Sequence, residues 1–212
     1  MAATHAELAT GERVRTEQAQ FSALVRGLAD DAWHSASWCE GWTVGDVVAH
    51  TAAHLQGRQR DKACLAVLRD QPRSVTAEQL VASPSIPRVP SAWFRRTDER
   101  VQLGELLIHR RDVEGPLGLT TAVDPTTTVA VLEFGLSRIG GLALSGMRRR
   151  SRGLRLVATD MSWAAGSGPE VRGAGVDLIM ATSGRRAAID AVEGPGVPTL
   201  AARVTAGKRG TR

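Results

Sequence analysis

Apolar residues recur at helical intervals along the first part of the chain. Phe21, Leu24, Val25 and Leu28 share one face, which predicts a first helix over residues 8–28. A tryptophan-bearing loop is expected at 31–42. Thr43 has the character of a helix cap, with Asp46 three residues on placed to answer it in a capping box. The helix so started, 44–56, turns Val44, Val47, Val48, Thr51 and Leu55 inward.

Residues 70–90 hold four of the nine prolines (Pro72, Pro84, Pro87 and Pro90) and read as loop or broken helix. A helical pattern then runs over 92–113 and stops before Gly115-Pro116. Asp124-Pro125 signals another start, Asp as cap and Pro at the first helical position. The helix after it is expected to reach Leu144, with Gly140-Gly141 weakening its middle. Beyond the arginine-rich segment the period changes. Leu154, Leu156 and Ala158 alternate as in a strand, and a glycine-dense stretch follows at 166–175. A short helix over 176–182 ends at Gly184, and 199–204 alternates like a strand. The pattern therefore divides the chain into a helical domain, 1–148, and a small α+β domain, 149–212. No internal repeat is visible.

Composition narrows the class. The 212 residues are 42% hydrophobic and 23% charged, ordinary values for a globular protein. No apolar run is long enough to span a bilayer, and the N-terminus lacks the apolar core of a secretory signal, which points to the cytoplasm. Cys39 and Cys64 are too few for a disulfide framework and have no neighbours at metal-finger spacing. The net charge of +5 comes almost wholly from arginine, since only Lys62 and Lys208 are lysines. Such usage suggests a genome of high G+C content, as in actinobacteria. The basic excess gathers at 147–155 (MRRRSRGLR, containing Arg148–Arg155) and in the tail 208–212. Runs this short read as solvated linkers, or as phosphate-binding patches.

The chemistry concentrates in the helix at 101–113, VQLGELLIHRRDV. Glu105 and His109 lie four residues apart and so stack on one face. Val101, Ile108, Leu106 and Val113 border the pair, so the wheel places an acid and an imidazole within an apolar surround. A buried carboxylate is costly unless a charge answers it, and a divalent ion would answer both groups. A third ligand must come from another element. His50 and His54, again four apart, are the candidates on the 44–56 helix, and periodicity does not choose between them. Two helices giving three ligands would leave room for water in an open site. Asp112 either orients His109 from behind or pairs with an arginine such as Arg110 or Arg111. Trp38 and Trp42 read as core or loop anchors rather than substrate platforms.

At this point a family resemblance enters. CEGWTVGDVVAH at Cys39–His50, GELLIHRRDVEGPLG at 104–118 and LVATDMSWAAGSGPEVRGAGVDLIMATSGR at 156–185 resemble, in order, the DinB-like mycothiol-dependent maleylpyruvate isomerase family. The resemblance implies a DinB-like four-helix bundle followed by a small α+β domain, a mixed fold. It implies a divalent metal, usually zinc, carried by His50, Glu105 and His109, which selects His50 over His54. It also implies mycothiol as cofactor or cosubstrate and a small electrophile as partner. Arg185 becomes a candidate contact for an anionic substrate, or a structural arginine. Two features depart from the family: the span between the two ligand helices is short, and Arg110 and Arg111 stand where an aromatic residue is common.

The leading expectation is a metal- and thiol-dependent isomerase or S-transferase, monomeric or homodimeric, with no membrane partner. The alternative is a non-catalytic metal- or ligand-binding stress-response protein of the same fold. Nucleic-acid binding through the arginine run lacks a helix-turn-helix, zinc-finger or aromatic-sheet pattern to support it.

Overall fold

The computed structural model describes residues 2–55, 62–82, 92–144 and 146–206. The basic tail at 208–212, the prolines at 84–90 and the side chain of Cys64 lie outside the described set. Contacts divide the chain into two compact units, Met1–Thr120 and Thr121–Arg212. The division expected from sequence fell at 148/149.

The first unit is helical: α1 (Ala2–Gly27), α2 (Asp30–His34), α3 (Val44–Leu55), α4 (Lys62–Asp70), α5 (Arg73–Ala82) and α6 (Ala92–Glu114). Helix α1 packs on α5 and α6, and α3 packs on the same two, so these four close a ring around one core. Val14, Phe21 and Val25 of α1 meet Val44, Val47 and Val48 of α3 and Leu103, Leu106 and Leu107 of α6 among the buried side chains of that core. The anticipated capping box is present. The Asp46 carboxylate accepts from the Thr43 amide at 3.0 Å, and the Thr43 hydroxyl accepts from the Asp46 amide at 3.1 Å. Gly45 is required by close approach, because a Cβ there would stand 2.7 Å from the Trp33 indole nitrogen. The proline-rich segment differs from expectation in its first half. Pro72 precedes α5 rather than breaking it, and its carbonyl accepts from the Thr76 amide in the first turn.

The second unit contains α7 (Pro125–Leu136), α8 (Gly140–Ala143), α9 (Met147–Ser151), β1 (Arg155–Ala158), β2 (Ala164–Gly166), β3 (Glu170–Gly173), α10 (Gly175–Ser183) and α11 (Val197–Ala206). The sheet order is β2-β1-β3, with β1 antiparallel to β2 and parallel to β3. Helix α10 packs against the sheet and against α7, α9 and α11. It ends at Gly184, whose φ of 101° is the left-handed conformation that closes a helix cheaply only at glycine.

Two expected elements are corrected here. The helix opened by Asp124-Pro125 ends at Leu136, not Leu144. The Ser137 hydroxyl accepts from the Gly140 amide, and a Cβ at Gly140 would collide with the Phe134 carbonyl, so the chain folds back there. Residues 199–204 are helical, not extended. Leu200 and Val204 are buried while Ala202 is exposed, so the burial follows the four-residue helical spacing that simple alternation had imitated.

Candidate metal centre

The capping box at Thr43 sets where α3 begins, and so fixes which face carries His50. The loop ahead of it is tied to the end of α6. The Trp38 amide donates to the Asp112 carbonyl at 3.0 Å, and the Trp38 ring lies where a Cβ on Gly115 would be. Trp38 is thus the loop anchor expected of it. On α6, residues 102–114 are buried except for Glu105, whose side chain is 14% exposed. The helix therefore has little solvent face near Glu105 and His109, and its buried polar side chains must be answered by other protein groups or by a ligand.

His50, Glu105 and His109 come together, each offering one ligand atom within 4.8 Å of the others. Glu105 Oε2 lies 3.2 Å from His109 Nε2 and 3.9 Å from His50 Nε2. The two imidazoles meet edge to face, 5.2 Å between centroids. Behind His109, Nδ1–H donates to Asp112 Oδ2 at 2.9 Å, and the Asp112 side chain is fully buried. His54 sits one turn beyond His50 with its ring 6.3 Å away, outside the converging set.

The charges follow from these contacts. Burial, with neighbouring His109, holds the His50 imidazole down to about 4, so His50 is neutral at pH 7. Burial also opposes charge on His109, but hydrogen bonds to Asp112 and Glu105 outweigh it and raise its pKa to about 9. Burial works against ionisation of Glu105; the hydrogen bond and charge of His109, with His54 and His50, bring it below the ordinary carboxylate value.

The donor set fits a divalent ion. Atoms bound to one tetrahedral zinc at about 2.0–2.1 Å stand roughly 3.4 Å apart, close to the separations around Glu105. A carboxylate fixing the far nitrogen of a histidine is the usual outer support of such ligands. Arg110 is fully buried between Glu17 and Glu114, and Arg111 bonds Glu114 at 2.7 Å.

Beside His50 opens a cleft of about 360 Å³ lined in part by Trp42, Asp46, Ala49, Leu65 and Arg69. Trp42 meets the His50 ring edge-on at 4.9 Å. Sequence reasoning gave Trp42 an anchoring role and missed its place at this wall. Its position just ahead of the helix carrying His50 was the available signal. Arg185 lies in the second unit, nearly buried, and donates to the Ser183 carbonyl.

Residues 14–63 match the family described as the mycothiol maleylpyruvate isomerase N-terminal domain. That segment contains His50 and His54 but neither Glu105 nor His109. Among solved structures, the chain is similar to the mycothiol-dependent maleylpyruvate isomerase (TM-score 0.59) and to a histidine-to-alanine mutant of it (TM-score 0.57). Identity is 14% in both cases, over 88% of this chain and 92% of the other. The fold is therefore that of the maleylpyruvate isomerase, mostly helical with a small three-stranded sheet near the C-terminus, and the resemblance read from the sequence is borne out. No curated protein matches the chain. No helix of the described residues is long and apolar enough to cross a membrane.

Proposed function

We propose that the chain is a metal- and thiol-dependent enzyme, an isomerase or S-transferase acting on a small electrophile, with mycothiol as the thiol. The observation that carries this reading is the convergence of His50, Glu105 and His109 on one point, with Asp112 behind His109. When bound there, a divalent ion, zinc by the chemistry of two imidazoles and one carboxylate, supplies a Lewis-acidic centre that lowers the pKa of a thiol or water.

The protein's own groups do the rest. His50 stands neutral and ready to donate a lone pair, and Glu105 stands ionised. Asp112 holds the His109 Nδ1 proton, so Nε2 is the nitrogen left for a ligand. Trp42 restricts the His50 ring from one side, and the cleft next to it has room for a small substrate. In an isomerisation the thiolate adds to an activated double bond, the resulting single bond rotates, and the thiolate leaves with its electron pair. In a transfer the carbon–sulfur bond is kept and the neighbouring carbanion takes up a proton.

The test has two arms. Elemental analysis of purified protein should give stoichiometric metal in the wild type and its loss in His109→Ala; retention in that variant overturns the ligand set. Mycothiol consumption is then followed with a panel of electrophiles. Metal bound without turnover favours a binding protein of the same fold.

A further inference from the structure

The second unit carries a concavity of about 380 Å³ lined by Arg149, Arg150, Arg152, Arg203 and Ala206. Among the described residues its charged lining is arginine alone. Among the described residues, no carboxylate pairs with Arg149, Arg152 or Arg203. Arg203 instead donates to the backbone carbonyls of Arg150 and Arg152, both at 2.6 Å, which fastens α11 to the end of α9 and the residue after it.

The positions of Arg149 and Arg150 are also held. A Cβ at Gly146 would stand 3.6 Å from Arg150 Nη1 and 3.9 Å from Arg149 Nε, so both guanidiniums crowd one turn. Arg150 further lies against Gly184, where a Cβ would be 2.8 Å from Nη2, and donates to the Thr182 carbonyl at 3.2 Å. Burial lowers the Arg150 pKa, and the like charges of Arg149 and Arg185 lower it further. Like charges gathered in a fixed concavity raise the local concentration of an anion, and an oxyanion would relieve their repulsion.

We propose that this arginine-lined concavity is a binding site for a small phosphorylated or otherwise multivalent oxyanion. Guanidinium forks match phosphate oxygens in pairs, whereas a single monocarboxylate would leave most of these donors unanswered. The volume suits a small molecule rather than a chain. None of His50, Glu105 and His109 lines it.

Inorganic pyrophosphate is the probe, titrated by calorimetry into the intact protein at constant ionic strength. The comparison is wild type, Arg149→Gln/Arg152→Gln, and Arg138→Gln as a control for loss of an exposed charge elsewhere in the same unit. Arg203 is left intact because its carbonyl bonds are structural. Wild type and Arg138→Gln should bind alike, and the double variant at least tenfold more weakly with an unchanged melting temperature. Equal binding by all three proteins, or an equal loss in Arg138→Gln, overturns the proposal. So does a DNA duplex that needs Arg149 and Arg152 for binding while pyrophosphate does not bind.

Discussion

Asp112 and His109 form a buried pair one turn apart on α6, Oδ2 to Nδ1 at 2.9 Å, and the same Asp112 presents its carbonyl to the Trp38 amide. One residue therefore orients a candidate ligand with its side chain and ties down the loop ahead of α3 with its backbone. Only the first duty depends on the carboxylate. Asp112→Asn should keep the loop bond and weaken zinc affinity about tenfold to a hundredfold, the usual cost of losing an outer-shell partner. Competition against a chromophoric chelator measures this. An affinity equal to wild type would mean that Asp112 does not support a ligand.

The two histidines of α3 should separate cleanly. His50 Nε2 lies within reach of Glu105, whereas the His54 ring is set apart from the converging group. His50→Ala is expected to lose stoichiometric metal and His54→Ala to retain it, read by elemental analysis at equal protein concentration. Loss in the second variant alone would move the site along α3 by one turn.

The choice between these histidines also shows what was legible in the sequence. Thr43 and Asp46 disclose the start of α3, and Glu105 and His109 disclose a shared face on α6, because both depend on spacing along one helix. Which turn of α3 faces Glu105 depends on how two helices pack, and no spacing within either contains that. The same limit hid Arg110 and Glu17, 93 residues apart, whose pairing exists only once α1 lies on α6. Trp42 lay in plain view, but only the folded loop brings its edge to His50. In the second unit, 199–204 satisfied two periodicities at once, and burial of Leu200 with Val204 decided between them.

Metal-free protein should show opposite pH limbs from the two candidate ligand histidines, His50 and His109. His109 is raised from its ordinary 6.5 to about 9, so its contribution is complete below 6.5 and is lost as pH rises towards 9. His50 is lowered to about 4, so the unfolded chain takes up a proton first and stability falls as pH drops from 6.5 towards 4. Melting temperatures of chelator-treated protein should accordingly peak near pH 6.5. His109→Gln should lack the alkaline decline. A wild-type melting temperature that climbs steadily from pH 6.5 to 9 would contradict this assignment.

Zinc uptake at pH 7.5 should release about one proton, because His109 is protonated in the metal-free site while His50 and Glu105 already stand deprotonated. Calorimetric titrations in buffers of different ionisation enthalpy give the number directly. A value near zero would show that His109 is not displaced from its proton by the metal.

Helix α6 is held against α1 by charge as well as by apolar packing. Arg110 is fully buried, donating to Glu17 through Nε and Nη2 at 3.1 and 2.9 Å and to Glu114 through Nη1 at 2.8 Å. Burial pushes the Glu17 carboxyl upward in pKa, and Arg110, which Glu17 shares with Glu114, opposes that shift. Removing Glu17 would leave buried Arg110 and nearly buried Arg111 sharing Glu114 as their acid, one positive charge in excess, at a cost of up to about 3–5 kcal/mol. Glu17→Leu should therefore destabilise the first unit by about that amount in urea unfolding, although leucine suits an apolar environment. Glu17→Leu combined with Arg110→Met removes both charges and should recover much of the loss. Recovery of stability with metal affinity intact would show that the pair serves the fold. Recovery of stability without metal affinity would show that it also sets the placement of Glu105 and His109 opposite His50. A double variant no more stable than Glu17→Leu alone would contradict the coupling on which both outcomes depend.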